Sequence, residues 1–183
     1  WTNLDGMDAT IVSSTFSVPV QCREEVSTAQ STTWRDYVAK VVLKLVEAKI
    51  FGIGVYYDLP SDSAYLLAID ILNNRTQLIH RALLADTVFE TTPWASGVLS
   101  PDSVFTATVR VMPEGSNLRL RCWLNGVLQH DYLHSVEPPT KLIKGSLTLD
   151  SRFAGAATQP SIVYGVELYQ VPLAIESVTP DNP

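Results

Sequence analysis

Positive charge is scarce in this chain of 183 residues: 13 lysines and arginines stand against 19 aspartates and glutamates, a formal net charge of −6. A general nucleic-acid binder needs a positive field to engage phosphates, so that class is set aside. Long apolar runs are missing too. A membrane span needs about 18 apolar residues in succession, and the longest candidate, residues 38–57, is broken by Lys40, Lys44, Glu47, Lys49 and two glycines. The opening Trp1-Thr2-Asn3-Leu4-Asp5 has neither the basic start nor the apolar core of a secretory leader, so the chain reads as a mature or excised piece. Cysteine is limited to Cys22 and Cys122. A bond between them would close a very long loop, worth about 4–5 kcal/mol in the chain-entropy account. Two free thiols, with Cys122 a small inward strand residue, is the simpler expectation. Helical periodicity is absent as well: the best candidate, residues 36–49, carries four valines and fits alternation better. No Gly-x-Ser-x-Gly elbow, phosphate-cradling glycine loop or Cys-x-x-Cys pair occurs.

What is present is strand after strand. The most informative stretch runs from Leu118 to His130. Leu118, Leu120, Cys122 and Leu124 alternate with Arg119, Arg121 and Trp123, the period-2 pattern of a half-buried strand. Asn125-Gly126 then offers the two positive-φ positions of a type I′ hairpin turn. Residues 105–112 alternate in the same way, with Phe105, Ala107, Val109 and Val111 inward and Thr106, Thr108 and Arg110 outward. Pro113-Glu114-Gly115-Ser116-Asn117 joins the two as a turn. Further strands are expected near residues 9–18, 34–47, 50–58, 65–72, 76–84, 141–150 and 162–171, with 21–33 left as a polar segment. Gly52 and Gly54 suggest a close backbone approach or a bulge. The sequon Asn74-Arg75-Thr76 marks a surface hairpin tip. These spacings predict an all-β, two-sheet antiparallel sandwich of about ten to twelve strands. Residues 1–172 form the single domain in this reading, and 173–183 an exit tail or linker.

Several of these segments resemble the concanavalin A-like lectin/glucanase jelly roll, in its laminin G-like and 3-keto-disaccharide-hydrolase-like branch. Trp34-Arg35-Asp36-Tyr37-Val38 resembles the entry to that family's long strand, and Gly52-Ile53-Gly54-Val55-Tyr56-Tyr57 its glycine-led strand. Residues 65–70 with 77–81 resemble its central hairpin, and 105–111 with 120–128 the pair that ends in an Asn-Gly turn. Residues 145–149 and 164–168 resemble its last two strands. The resemblance implies a fold that hosts lectins, hydrolases, adhesion modules and viral attachment domains. It also implies a structural calcium in some members, for which no tight Asp/Asn cluster is present here.

The chemistry expected of such hydrolases is not legible. They set paired carboxylates across a cleft, whereas residues 68–73 retain only Asp70 without flanking glutamates. His130 and His134 share an i, i+4 spacing that suits zinc on a helix; after a hairpin they are expected as a solvated end, with His80 inward or at an edge. What remains is a surface. Carbohydrate sites combine an aromatic platform with planar donors. The residues offering these are Trp123, Arg121, Arg119, Arg110, Trp94, Arg81, Asp70 and Tyr57, of which Arg110, Arg119, Arg121 and Trp123 share one face if their strands pair. The bland alternatives are loop-covered tryptophans and arginines held by carboxylates.

Three functions are therefore weighed: a non-catalytic glycan-binding module; a structural or protein-interaction domain of a viral or cell-surface assembly; and a hydrolase of the 3-keto-disaccharide-hydrolase type whose catalytic residues cannot be placed. The expected setting is extracellular or surface-exposed, in a larger multidomain chain or a homo-oligomer. The expected partner is a glycan or glycoprotein, with no cofactor, metal or nucleic acid.

Overall fold

The alternation written into residues 37–45, 105–111 and 118–124 becomes three neighbouring strands whose odd and even side chains part to opposite sides. A computed structural model describes residues 16–18, 23–26, 35–47, 50–58, 63–82, 85–94, 99–135, 146–151 and 161–170. Among them are twelve strands: β1 (Phe16–Val18), β2 (Arg23–Val26), β3 (Tyr37–Leu45), β4 (Ile50–Asp58), β5 (Ser63–Asp70), β6 (Arg75–Ala82), β7 (Ala85–Pro93), β8 (Val104–Glu114), β9 (Asn117–Leu124), β10 (Val127–His134), β11 (Ser146–Asp150) and β12 (Ser161–Gln170). They form two six-stranded sheets. Sheet A runs β1-β12-β3-β8-β9-β10 and sheet B runs β2-β11-β4-β5-β6-β7. Every pairing is antiparallel. The all-β sandwich read from the sequence is the architecture found. No described helix is long and apolar enough to cross a membrane. The 172/173 boundary, the tail beyond it and Cys22 lie outside the described residues.

Two short turns set the register of sheet A. Asn125 and Gly126 take φ of 49° and 79°, which delivers the I′ hairpin between β9 and β10. Gly115 at φ 61° turns β8 into β9, so that Glu114 pairs with Asn117. The inner rows of β3, β8 and β9 then fill the space between the sheets. Ala39, Val41, Leu43, Val109, Leu120 and Cys122 are buried there against Phe51, Ile53, Leu67 and Leu147 of sheet B. Cys122 is a free thiol, and burial pushes its pKa far up, so it acts as a small core residue.

Sheet B is built differently. Strand β5 (SAYLLAID) is buried at every position, the mark of a strand covered on both faces. Its second face carries Tyr57, Ala64, Leu66, Ala68 and Ile79 as a separate buried cluster. Gly54 belongs to this face. A Cβ placed on it would lie 2.4 Å from Thr148 Cγ2 and 2.7 Å from Leu66 Cδ2, so Gly54 is crowded by side chains of β11 and β5 rather than by the close backbone approach expected. Gly54→Val should therefore lower the denaturant midpoint by the equivalent of about 1–3 kcal/mol through overpacking; an unchanged midpoint would show that Thr148 and Leu66 give way freely.

Two strands depart from the sequence expectation. Residues 85–93 and 23–26 are not among the expected strands, yet they form β7 and β2. Both are edge strands. Strand β7 is exposed along most of its length, so no buried row exists to imprint alternation on its sequence.

Candidate functional site

The outer face of sheet A is the sheet face that the described residues leave open. Its side chains fall into rungs fixed by register. One rung runs Tyr169, Val38, Arg110, Arg121, Asp131 across β12, β3, β8, β9 and β10. The next runs Glu167, Lys40, Thr108, Trp123, Leu128. A third, shorter rung sets Met112, Arg119 and Leu133 side by side. Arg110, Arg119, Arg121 and Trp123 thus share one face, as the pairing of their strands required. Trp123 is half-buried between Thr108 and Leu128, with Arg121 two residues away on the same side.

Carboxylates hold the arginines in place. Arg119 donates Nε and Nη2 to Asp131 at 2.6 and 3.1 Å and Nη1 to Glu114 at 3.4 Å. Arg121 reaches the same Asp131 through Nε at 3.1 Å. Arg110 spans to Asp36 at 3.3 and 3.4 Å. The hydrogen bond from Arg119, with a second from Arg121, keeps the Asp131 carboxyl below the ordinary carboxylate range. Lys40 pairs with Glu167 at 3.2 Å, and the Tyr169 hydroxyl also donates to Glu167. That tyrosine bond, ahead of Lys40, holds the Glu167 carboxyl low. The face is therefore a fixed array of donors and acceptors around one indole.

The other four sequence candidates lie elsewhere. Arg81 is buried on the second face of sheet B, forked onto Asp86 at 2.7 and 2.8 Å and onto Asp150 at 2.7 Å. Asp70 is fully buried and closes the β5–β6 turn, accepting from Asn73 N at 3.0 Å, Asn73 Nδ2 at 2.7 Å and Arg75 Nε at 2.9 Å. Tyr57 was expected to be an exposed aromatic, because one of Tyr56 and Tyr57 must turn outward. It does turn to the outer side of sheet B, but both rings are buried, at 0% exposure for Tyr56 and 3% for Tyr57. An irregularity in β4 explains the pair: Tyr56 takes φ 54°, joins the main core and donates its N–H to the Tyr37 hydroxyl at 2.8 Å. Trp94 packs against the core at the end of β7, and its backbone N–H donates to Asn74 O at 2.9 Å. It plugs the sandwich.

The histidines need a correction. His130 and His134, expected as a solvated hairpin end, are 1% and 2% exposed. A bulge between Leu128 and His130 brings His130, Tyr132 and His134 round to the inner side of β10. All three histidines of the chain then meet where β10 faces β6 and β7. His130 bonds Glu90 through Nδ1 at 3.2 Å and the Thr76 hydroxyl through Nε2 at 3.0 Å. His80 stacks on Tyr65 at 4.9 Å and lies 5.8 Å from the ring of His134, which stacks on Phe89 at 4.9 Å. Burial lowers the pKa of His80 and of His130, the latter opposed by Glu90. Among the described residues, no three His, Cys, Asp or Glu side chains gather as metal ligands.

Sequence reasoning placed Thr108 outward, as found, but missed Asp131 and Asp36 as members of the open face. Asp131 sits beyond the β10 bulge, which breaks the alternation that would have marked it as outward.

No family model and no curated protein matches this chain by sequence. Solved structures match by shape. The carbohydrate-binding module CBM66 from Bacillus subtilis superposes with a TM-score of 0.57 at 12% identity, over 80% of this chain and 76% of that one. The Caenorhabditis elegans galectin LEC-6 gives 0.53 at 11% identity, over 85% and 95%. Sheep galectin-11, in complex with glycerol, gives 0.50 at 11%, over 84% and 100%. The fold is a concanavalin A-like jelly roll. The outer face of sheet B is buried over β4, β5 and most of β6, whereas that of sheet A is open and carries Trp123.

Proposed function

We propose that this jelly roll is a non-catalytic carbohydrate-binding module that takes a glycan or glycoprotein ligand on the outer face of sheet A. The observation that carries the reading is Trp123, half-buried in a rung between Thr108 and Leu128 with the arginine–aspartate array one rung away. An indole offers the apolar face of a sugar ring a platform, and guanidinium and carboxylate groups complement its hydroxyls. The fold likeness to a carbohydrate-binding module and to galectins supports the same class. Asp70, the strand carboxylate a hydrolase would need free, is spent on a turn. The setting proposed is extracellular or surface-exposed, within a larger chain or assembly.

A glycan array followed by calorimetry tests this. Trp123→Ala should weaken binding about tenfold or more, equivalent to about 1.4 kcal/mol, with an unchanged melting temperature. Trp94→Ala should lower the melting temperature and leave the affinity of the folded protein alone. Absence of any glycan ligand, or wild-type affinity in Trp123→Ala, contradicts the reading. One further observation favours a second function. Val127, Leu128 and Leu133 are exposed on the edge strand β10, which suits a protein-interaction or attachment domain; a stable trimer or larger species in light scattering, with no glycan bound, selects that alternative.

A further inference from the structure

The outward rungs of sheet A are electrically balanced cation by cation. Lys40 sits on Glu167 at 3.2 Å, Lys44 on Asp102 at 2.9 Å, Arg110 on Asp36 at 3.3 Å, Arg119 on Asp131 at 2.6 Å and on Glu114 at 3.4 Å, and Arg121 on Asp131 at 3.1 Å. Five cations therefore meet five carboxylates. Arg110 and Arg121 stand directly opposite each other across β8 and β9, a like-charge pairing that is unfavourable in isolation. Asp36 and Asp131 offset it from the two flanks.

This balance decides what the face can accept. An acidic ligand approaching Arg121 meets Asp131 on the same nitrogen-bearing edge, so it must displace that carboxylate or endure it. A hydroxyl has no such conflict, because it donates to Asp131 and accepts from a guanidinium N–H at once, and both bonds are charge-assisted. Adjacent hydroxyls on one ring match the side-by-side acceptor and donor that Asp131 and Arg121 present. Trp123, on the neighbouring rung, is placed for the ring's apolar face.

Resting on the glycan-binding reading above, we infer that the outer face of sheet A selects neutral sugars over acidic ones, with Asp131 as the hydroxyl acceptor and the residue that excludes carboxylated rings. The selectivity belongs to Asp131, since it balances two arginines. Asp131→Asn leaves both guanidinia under-compensated while keeping the shape of the side chain.

The test titrates the whole protein with neutral oligosaccharides and with matched uronic-acid-containing or sialylated ones, at low and high salt. Wild type is expected to bind a neutral sugar about tenfold or more tightly than its acidic counterpart, with little dependence on salt. Asp131→Asn should narrow that preference at least severalfold, and the acidic binding it gains should weaken as salt rises. A charge-neutral control, Thr108→Val, should weaken both classes alike and leave their ratio unchanged. Wild-type preference for the acidic sugar, equal affinity for the two, or an unaltered ratio in Asp131→Asn overturns the inference while leaving glycan binding intact. Failure of wild type to bind either class overturns the underlying reading instead.

Discussion

Arg81→Ala is expected to cost about 3–5 kcal/mol of folding stability, the range found when one partner of a buried ion pair is removed. The Arg81 side chain is 9% exposed and Asp150 is 0% exposed, and their contact is 2.7 Å. Asp86, the other partner, is 31% exposed on the edge strand β7 and can turn to water when the guanidinium goes. Asp150 cannot, because β11 lies inside sheet B between β2 and β4. A typical domain has only about 5–15 kcal/mol in total, so the variant should unfold at much lower denaturant. The paired change Arg81→Met with Asp150→Leu should recover most of the loss, since an apolar pair of similar volume avoids the desolvation of both charges. Chemical denaturation of the three proteins checks this. An Arg81→Ala loss below about 1 kcal/mol would mean that the pair behaves as a surface bridge.

Mild acid should also destabilise the protein, beginning below about pH 6.5, the unperturbed histidine value. His80 and His130 are held neutral by burial, so their folded pKa values lie below those of the unfolded chain. The sign follows directly. Above about pH 6.5 both states are neutral at these rings and stability is at its full value. As the pH falls the unfolded chain takes up protons that the folded chain refuses, and stability drops by up to about 1.4 kcal/mol per pH unit for each ring, until the pH passes the folded pKa values. The groups facing these rings explain why they stay neutral. Around His80 stand Tyr65 of β5, Phe89 of β7 and His134 of β10, with no carboxylate among the contacts seen. His130 has Glu90 of β7 and Thr76 of β6, so its loss is partly offset by an ion pair once it is charged. Asp131 and Glu167 are held low by their partners and lose their contribution only at more acidic pH. Denaturation midpoints between pH 7.5 and 5 isolate the histidine effect. His80→Phe keeps the stacking and should flatten the pH dependence, whereas a wild-type midpoint constant across this window would show that the β6–β7–β10 seam admits protons freely.

The legibility of this chain follows burial. Strands β3, β8 and β9 have one covered and one open face, so their sequences alternate and show which residues face outward. Asn125-Gly126 makes β10 the hairpin partner of β9. Three situations hid the rest. Strand β7 has no buried row to write a pattern. The β10 bulge shifts the phase of alternation, which concealed both the inward histidines and the outward Asp131. Over β4, β5 and most of β6 both faces of sheet B are covered, so outward residues such as Arg81 and Tyr57 looked available when they are buried. Alternation tells which side of a sheet a residue takes. It does not tell what lies on that side.

The central claim is that the outer face of sheet A is where a glycan sits. The most direct measurement is a map of backbone and indole amide NMR shifts as a glycan ligand is titrated in. The expected result is a contiguous set of perturbations at Thr108, Arg110, Arg121, Trp123, Leu128 and Asp131, with the Trp123 indole N–H among the largest and Tyr57, Ala68 and Arg81 unmoved. Perturbations centred on β4, β5 and β6, with Trp123 silent, would contradict it.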